Sequence, residues 1–594
     1  MQGSEILVQS LVDLGVQHVF GYTGAAILPV MDELAKQGVD IVVTSNEQSA
    51  AFGASGYSRS TNSVGVAVVT SGPAITNTLT AVADAFADSI PMLVIAGQVP
   101  EHKLGTDSFQ HIDVSRVFGA TAKKVVLVDS IDKIETIIKD SWHLSLAGKP
   151  GPVVIDFPID LQQNSCSYND EPVQDYAALY EDARHLSGKQ CALFFELLQS
   201  AKRPLLYLGG GLNNERGAEA IRRFNMLSAI PSVNTLMAKG VLDENDPLSL
   251  GLLGMFGTPA ANTIIQRNDF FFAIGVRWDD RVAEKVGFAI HARVAYIDIN
   301  PEKVRQIRLE RKPDFSAIGD AATILGDLCD YAEEYGISLD IARWREEASG
   351  IKHSWSLDYN YKSAAIQQAE VLHRLSGMLP DNAIVTTGVG NHQLLAAQYL
   401  KMRHPRRFLT SGSFGTMGFG LPNAVGACVA NPDATVLCID GDGSLRMNMG
   451  ELHTVGTLGL PVKVLLLNNR CDGMVRNLED AAYGGRHSAT ERNSDVDFSK
   501  IAKTCGFRHA HRVVKREELQ QALESFMESK GPAMLEVITD REEVLYPIVP
   551  PGKSYHDMDL GPYMHEISDQ SDKKPVNERK NHTSTGIRAA NVTA

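Results

Sequence analysis

Short apolar runs alternate with amphipathic stretches along most of the chain, which predicts parallel strands joined by helices. In the first part, strands are predicted at His18–Gly21, Ile41–Thr44, Val64–Thr70, Met92–Ala96 and Val153–Phe157. Helices are predicted at Ser4–Leu14, Ala26–Gln37 and Thr76–Phe86. This alternation predicts an α/β domain with a doubly wound parallel sheet over residues 1–164.

Two similar domains are predicted farther along the chain. A polar, acidic stretch at 165–185 is predicted to be a linker, and a second domain follows over 187–345. A helix near 341–353 leads into a third domain over 363–560, before a polar tail at 569–594 that is predicted to be disordered. Strands of these two domains are predicted before Gly209 and at Phe270–Ile274, Val294–Ile299, Ile384–Thr387, Thr435–Ile439 and Val462–Leu467.

Residues 434–475 form the most informative β-α-β unit, because polar residues follow both of its strands. Asp440-Gly441-Asp442-Gly443 follows the first strand, Asn468-Asn469 follows the second, and a helix is predicted between them at Met449–Leu458. In open parallel sheets, ligands bind at the carboxyl ends of the strands. These polar residues are therefore expected to lie at one ligand-binding edge.

The residue types at this edge indicate a metal ion and a phosphate ligand. A carboxylate and a side-chain amide suit Mg²⁺, and Gly441 and Gly443 leave backbone amides open to a diphosphate. Either motif alone is more often turn chemistry, but the 24 residues between Gly443 and Asn468 fit a single crossover. The sequence therefore predicts a site for Mg²⁺ and a diphosphate.

The pattern G-D-G, 24 residues and N-N resembles the signature of thiamine-diphosphate (ThDP) enzymes. The surrounding sequence resembles the acetolactate synthase (acetohydroxyacid synthase) large subunit from about residue 3 to about residue 560. This resemblance implies a pyrimidine-binding, a central FAD-binding and a diphosphate-binding domain, with ThDP, Mg²⁺ and FAD as cofactors. The resemblance implies decarboxylation of pyruvate and carboligation to a second 2-oxo acid, a reaction that transfers no net electrons. It also implies that the FAD is structural.

The resemblance also implies catalytic residues. Glu47, in TSNEQSAAFGASGYSR, matches the glutamate that hydrogen-bonds N1′ of the aminopyrimidine, a task that requires a desolvated carboxylate. A helix N-terminal charge is the structural alternative for Glu47. Phe109 and Gln110 match the pair on the substrate side, and Lys123 matches a lysine expected to meet an acid group or the flavin edge.

Met417 matches the apolar residue that supports the bent cofactor. The metal ligands implied are Asp442, Asn469 and the carbonyl of Cys471; a reactive Cys471 thiol is the alternative. The residues implied to bind ThDP are Gly24, Pro73, Asn77, Val389, Gly390, Asn391, His392, Gly415, Met417, Gly441, Asp442, Gly443, Ser444, Asn469 and Met474. The segment 549–558 resembles the family's C-terminal lid over the site.

The middle domain resembles the family's flavin domain. The residues implied to bind FAD are Gly209, Gly210, Gly211, Leu253, Gly254, Met255, Phe256, Gly275, Arg277, Asp279, Arg281, Asp298, Ile299, Asp320 and Ala321. Phe256 stands where the family usually has histidine, which weakens one expected flavin contact. A tight turn is the common alternative for the three glycines.

Leu478 is the most informative departure, because the family has tryptophan there. Leucine opens volume beside the acceptor and removes an aromatic contact. Acetyl transfer to a bulkier ketone or aldehyde therefore stays open as an alternative to acetolactate synthesis. A pyruvate oxidase or decarboxylase and an inactive homologue are two further alternatives.

Composition narrows the possible partners and compartment. A net charge of −15 argues against nucleic-acid binding, and no apolar run reaches the length of a membrane span. Seven scattered cysteines and the lack of a signal peptide predict a cytoplasmic protein. The resemblance implies a homodimer or homotetramer with active sites between subunits, and it leaves a regulatory small subunit open.

Overall fold

The fold consists of three six-stranded sheets, and all their described strand pairs are parallel. The computed structural model describes residues 1–168, 184–282, 287–355, 357–492 and 495–567. The predicted class of three doubly wound domains is confirmed. Most of the predicted linker and the whole of the predicted tail lie outside the described residues. Within those residues, no helix is long and apolar enough to span a membrane.

The first sheet has the order β2-β1-β3-β4-β6-β5. Its strands are β1 His18–Gly21, β2 Asp40–Val43, β3 Gly65–Val69, β4 Met92–Gln98, β5 Lys124–Leu127 and β6 Pro152–Pro158. The α-helices are Gly3–Asp13, Leu28–Lys36, Glu47–Ser60, Pro73–Asn77, Leu79–Asp88, Val114–Phe118, Ile134–Leu146 and Ile159–Gln163, with 3₁₀ turns at Ala25–Ile27, Glu101–Lys103 and Ile131–Lys133. The prediction of a single helix from Thr76 is wrong, because the chain forms two short helices there.

The second sheet has the order β12-β11-β10-β7-β8-β9. Its strands are β7 Pro204–Leu208, β8 Ser232–Asn234, β9 Ser249–Leu252, β10 Phe270–Ile274, β11 Arg293–Asp298 and β12 Phe315–Ile318. The α-helices are Gly188–Ser200, Glu215–Ser228, Pro259–Ile264, Pro301–Glu310, Ala321–Glu334 and Ala342–Ser354, with 3₁₀ turns at Gly210–Leu212 and Leu236–Ala238. The last α-helix is the predicted connection to the third domain.

The third sheet has the order β14-β13-β15-β16-β18-β17. Its strands are β13 Ile384–Thr387, β14 Phe408–Leu409, β15 Val436–Gly441, β16 Lys463–Asn468, β17 His509–Val513 and β18 Ala533–Ile538. The α-helices are Gln368–Ser376, Asn391–Tyr399, Gly420–Ala430, Asp442–Leu445, Glu451–Leu458, Gly473–Tyr483, Phe498–Thr504 and Arg516–Glu528, with 3₁₀ turns at Arg446–Asn448 and Tyr555–Asp557. Strands β13, β15 and β16 are neighbours, so the loops that follow them share one edge.

The first and third domains contact each other through the helices Glu47–Ser60 and Gly420–Ala430. A Cβ at Gly56 would lie 2.2 Å from the carbonyl oxygen of Asn423, and one at Gly426 would lie 1.9 Å from that of Gly53. The helix backbones therefore touch, which only glycine permits at these positions. This contact positions Glu47, at the start of one helix, relative to the loop that precedes the other.

Candidate active site

Three loops meet at the carboxyl edge of the third sheet, as the sequence predicts. The loop after β13 is tied to the others by Ser444, whose Oγ accepts from the amide of Val389 at 3.4 Å and from that of Gly418 at 3.0 Å. These bonds leave the Ser444 hydroxyl proton for another acceptor. The structure thus brings Val389, Ser444 and Gly418 to one place.

Asp442 and the turn at Asn469–Cys471 lie at the part of this edge where the sequence predicts the metal site. Asp442 is 3 % exposed; burial raises the pKa of its carboxyl group, and the charge of Arg492 opposes that rise. The Oδ1 of Asn469 accepts from the Cys471 amide at 3.2 Å. Arg470 between them has a φ of 59°, so the chain turns sharply there. The three predicted metal ligands therefore belong to adjacent loops.

Buried polar atoms without a partner identify what this edge fits. Among the described residues, Asp442 Oδ1, Asn391 Oδ1 and His392 Nε2 are buried and have no hydrogen bond. A Cβ at Gly473 would lie 2.8 Å from Nδ2 of both Asn391 and Asn469, so these two amides converge. Unpaired buried polar atoms cost free energy, and a hydrated divalent cation with a diphosphate would satisfy them. These residues therefore fit Mg²⁺ and ThDP.

The ring of His392 explains two of the predicted glycines. A Cβ at Gly441 would lie 2.7 Å from its Nδ1, and one at Gly390 would lie 2.9 Å from its Cε1. Its Nε2 lies 3.5 Å from Oδ1 of Asp440. The ring occupies the space that side chains at 441 and 390 would need, so it forms one wall of the edge.

The surroundings of the Cys471 thiol disfavour its ionised, nucleophilic form. Burial, together with the nearby charge of Asp442, raises the pKa of this thiol to about 11. A thiol with this pKa stays protonated at neutral pH. The alternative of a reactive cysteine is therefore not supported, and the backbone carbonyl is the group that Cys471 offers.

A second group of predicted residues lies in the first domain. Glu47 is the first residue of its helix, which Asn46 caps by accepting from the Ser49 amide at 2.9 Å. The Nδ2 of Asn77 donates to Oε2 of Glu47 at 2.8 Å. Glu47 is half-buried and Asn77 is exposed. Asn77 therefore orients the carboxylate and leaves its Oε1 open on an uncovered face.

Gln110 and Phe109 lie beside the loop that leads to Asn77. Both Gln110 and Gly72 have positive φ, 60° and 64°, and a Cβ at Gly72 would lie 2.8 Å from that of Gln110. Phe109 is 87 % exposed. The tight contact fixes the loop at 109–110 and presents an aromatic ring to the outside of the chain.

Hydrogen bonds within one polypeptide chain connect the group around Glu47 to the group around Asp442, but they do not bring the two together into a complete site. The Nδ2 of Asn46 lies 3.5 Å from Oδ1 of Asn448, whose own Nδ2 donates to the Gly418 carbonyl at 2.9 Å. Within the described part of the chain, no hydrogen bond or ion pair joins Glu47 to Asp442. Exposed apolar side chains near the predicted site residues include Phe109, Phe414, Met447, Val475 and Leu478.

The remaining predicted residues take supporting positions. Lys123 donates through Nζ to the carbonyl of Ala147. A Cβ at Gly24 would lie 2.4 Å from Cγ2 of Thr70. Pro73 begins the short helix that ends at Asn77. Gly415 has a φ of 68° in the loop before Met417, and Met474 packs on the core of the third domain.

An ionic network that no sequence motif indicated holds the loop before Met417. The carboxylates of Asp84 and Asp88 accept from Arg59 Nη2 at 2.8 and 3.1 Å, and all three side chains are almost fully buried. Burial raises the pKa of Asp84 to about 6, and the charge of Arg59 opposes this rise. Asp84 also binds the loop before Met417, because the hydroxyl groups of Ser411 and Thr416 both donate to its carboxylate. The first domain thus fixes the segment that carries Met417.

Replacing Ser411 with alanine tests this anchoring. The variant loses a hydrogen bond to a charged acceptor, which contributes about 1.5–3 kcal/mol. We expect ThDP to bind about tenfold more weakly, as measured by fluorescence titration, because the Met417 loop is less well fixed. Ser200→Ala, on the middle domain, is the control. Unchanged ThDP affinity in Ser411→Ala would show that the loop is held by other contacts.

The predicted flavin residues lie at the carboxyl edge of the second sheet. The Gly209–Gly211 turn follows β7, Gly275 follows β10, and a Cβ at Gly275 would lie 2.8 Å from the Cα of Gly211. Asp298 ends β11, and burial raises its pKa to about 6. Asp320 caps the helix starting at Ala321 by accepting from the Thr323 amide at 2.9 Å. The glycines thus allow the turns after β7 and β10 to approach each other closely, and the carboxylates of Asp298 and Asp320 lie at the same edge of the sheet.

Two cations complete that edge. Arg277 donates to the Ala87 carbonyl at 3.0 Å, which connects the second domain to the first. Burial lowers the pKa of Lys149, whose charge also interacts with Arg277 and Asp298. Lys149 was not predicted from the sequence, because it belongs to the first domain. Cations beside a glycine turn and the Asp298 carboxylate fit the diphosphate and ribose of FAD.

The loop at 253–256 joins the flavin edge to the third domain. Gly254 exchanges two hydrogen bonds with the side chain of Asn262, at 3.2 and 3.0 Å. The Met255 amide donates to the Arg281 carbonyl at 3.0 Å. The Arg281 amide donates to Asp279 at 3.1 Å. The Phe256 carbonyl accepts from Gln398 at 3.0 Å.

Ile299 follows β11 directly at the same edge. The predicted lid at 549–558 packs on the middle domain of the same chain. Val549 donates to the Met255 carbonyl at 2.8 Å, and the Tyr555 hydroxyl donates to the Val282 carbonyl at 2.9 Å. In this structure the segment therefore covers the flavin side.

Comparison with known proteins agrees with this geometry. The family descriptions "Thiamine pyrophosphate enzyme" match the chain in three parts: the N-terminal TPP binding domain at residues 1–117, the central domain at 192–328 and the C-terminal TPP binding domain at 388–537. The acetolactate synthase isozyme 2 large subunit of Escherichia coli is 38% identical, covering 94% of this chain and 99% of the relative. The acetolactate synthase of Arthrospira platensis is 40% identical, with 94% and 97% covered.

Proposed function

Because the chain belongs to the acetolactate synthase family of thiamine pyrophosphate enzymes, we propose that it decarboxylates pyruvate and joins the two-carbon unit to a second 2-oxo acid. The predicted set of ThDP, Mg²⁺ and FAD agrees with this membership. The observation that carries the proposal is the convergence of Asp442, Asn469 and Cys471 beside buried polar atoms that lack partners.

Each group of residues has a distinct task. When bound, ThDP would supply the nucleophilic carbon that both the decarboxylation and the carboligation require. Asp442, Asn469 and the Cys471 carbonyl would hold Mg²⁺, and Asn391 and His392 would contact the diphosphate. Met417, on the loop anchored by the first domain, would support the bound cofactor.

Glu47 handles the proton that activates the cofactor. Because Asn77 already donates to Oε2, the free Oε1 is the oxygen that would share a proton with the aminopyrimidine. Gln110 lies on the neighbouring loop, where its side-chain amide can donate to the carboxylate of a 2-oxo acid. Both residues therefore act from the first domain on a cofactor held by the third.

We propose that the complete site forms between two subunits of a homodimer or homotetramer. Support comes from the half-buried Glu47 and from the exposed Phe109 and Leu478, which a partner would cover. The match to a protein described as a large subunit is consistent with an additional regulatory small subunit. All seven cysteines are free, which supports our proposal of a reducing, cytoplasmic location.

Product analysis tests the proposed function. The purified protein is incubated with ThDP, Mg²⁺, FAD and pyruvate, and acetolactate is the expected product. CO₂ release that requires an added ketone or aldehyde would indicate a different acceptor. Acetaldehyde, or acetate with peroxide, would indicate a decarboxylase or an oxidase, and an absence of turnover would indicate an inactive homologue.

Leu478→Trp tests which residue selects the acceptor. Leu478 is 58 % exposed in the single chain. An indole at this position would reduce the space for the acceptor substrate. We expect the ratio of kcat/KM values for a bulky and a small acceptor to fall about tenfold or more, since one such contact contributes about 1–3 kcal/mol. Tyr483→Trp, an exposed position on the same helix, is the control. An unchanged acceptor profile would remove Leu478 from the specificity argument.

A further inference from the structure

Arg492 places a guanidinium group beside the metal-binding carboxylate. Its backbone amide donates to the Arg470 carbonyl at 2.9 Å, and the Asp472 amide donates to the Thr490 carbonyl at 2.9 Å. Residues 490–492 therefore run antiparallel to the turn that carries Asn469 and Cys471. This pairing fixes the backbone of Arg492 next to the metal turn.

The Arg492 side chain bridges two carboxylates. Nη1 lies 3.2 Å from Oδ2 of Asp442, and Nη2 lies 2.5 Å from Oδ1 of Asp472. A Cβ at Gly443 would lie 2.8 Å from Nη2 and 2.4 Å from the Asp472 oxygen. The side chains of Arg492 and Asp472 thus pack against the backbone of Gly443. This glycine belongs to the motif that the sequence analysis predicts to bind the metal ion and the diphosphate.

The two oxygens of Asp442 have different surroundings. Oδ2 accepts from Arg492, whereas Oδ1 is buried and has no hydrogen-bond partner. The carboxylate is therefore fixed in rotation by one oxygen and open at the other. Partners that bind the second atom of a metal ligand orient the first one toward the ion, and their loss weakens metal binding.

The negative charges at this edge of the sheet also favour a positively charged side chain at position 492. Asp442, Asp472 and a diphosphate together carry more negative charge than one Mg²⁺ neutralises. A partly buried guanidinium that bridges the two carboxylates compensates part of this excess. Asp472 holds the arginine by the shorter of its two contacts, so the guanidinium can remain in place when Oδ1 of Asp442 binds a metal ion.

We propose that Arg492, clamped by Asp472, is a positioning residue that holds Asp442 through Oδ2 and presents Oδ1 to the metal ion. The inference rests on the proposed function, because it takes Asp442 as a metal ligand. It adds an arginine and an aspartate to the metal site that neither the motif nor the resemblance supplied.

Equilibrium binding of Mn²⁺ as a probe of the Mg²⁺ site, followed by electron paramagnetic resonance in the presence of ThDP, tests the proposal without an activity assay. Arg492→Gln is expected to weaken Mn²⁺ binding about 10- to 100-fold. Asp472→Asn is expected to weaken it less, since the arginine keeps its bond to Asp442. Arg492→Lys, which keeps the charge but bonds one carboxylate only, is expected to lie between Arg492→Gln and the wild type. Arg486→Gln, at an exposed position before the same segment, is the control.

Two outcomes would overturn the proposal. Equal or tighter Mn²⁺ binding in Arg492→Gln would mean that the guanidinium only fills, or competes for, an empty site. Equal losses in Arg492→Gln and Arg486→Gln would mean a general effect of charge.

Asp442→Asn separates this inference from the proposed function: if Asp442→Asn leaves Mn²⁺ affinity unchanged, the metal assignment itself is wrong. If Asp442→Asn abolishes binding while Arg492→Gln has no effect, only the role of Arg492 is wrong. Thermal unfolding without metal verifies that each variant folds.

Discussion

Glu47→Gln is expected to lower pyruvate turnover about 10²- to 10⁴-fold while ThDP and Mg²⁺ still bind. Glutamine has the shape of glutamate and can still accept the hydrogen bond from Asn77 through its amide oxygen. It cannot accept and return a proton at the second position, which becomes an amide nitrogen. The metal ligands lie on a different sheet, so cofactor affinity is expected to stay within a few-fold of that of the wild type.

Turnover and binding are measured separately to check this result. Steady-state kinetics gives kcat, and fluorescence titration of the same preparation gives the affinity for ThDP. Glu101→Gln, an exposed glutamate in the first domain, is the matched control and is expected to behave as the wild type. Near-normal turnover in Glu47→Gln would refute the catalytic assignment. Loss of ThDP binding would show instead that Glu47 holds the cofactor.

The β-α-β unit at the centre of the sequence argument illustrates what the pattern could predict. The apolar runs before Asp440 and Asn468 form adjacent buried strands, and Asp442 and Asn469 follow them as expected. The bounds of β1, β10 and β13 agree residue by residue with the prediction. Such strands can be recognised from the local sequence alone, because both faces of a parallel strand are buried and the strand is therefore continuously apolar.

Two of the edge strands, and the long-range partners, were not predictable in the same way. β5 and β17, at the ends of their sheets, are short and carry exposed polar residues such as Lys124 and His509. Their sequences therefore lack the continuous apolar signal. Arg59, Asp84 and Arg492 act through partners tens to hundreds of residues away in the chain. Local pattern contains no information about such pairs, and only the fold reveals them.

Mixing two inactive variants is expected to restore activity, because the proposed site takes Glu47 and Asp442 from different chains. Glu47→Gln and Asp442→Asn each inactivate both sites of a homodimer. In a mixed dimer, one site receives both substitutions and the other receives neither. Random reassociation after mild dissociation is therefore expected to recover about a quarter of the wild-type activity in a closed dimer.

The structural reason for this expectation is the incomplete burial of Glu47 in one chain. Proton exchange with the aminopyrimidine requires a desolvated carboxylate, yet Glu47 is only half-buried and its partner Asn77 is exposed. A second subunit that covers this face would supply both the desolvation and the metal-bound cofactor. Each variant reassociated with itself is the control. If the mixture stays inactive while analytical ultracentrifugation with differently labelled chains shows mixed dimers, both residues must act within one chain. The hydrogen bonds from Asn46 through Asn448 to the Gly418 carbonyl would then be the connection between the two groups of residues.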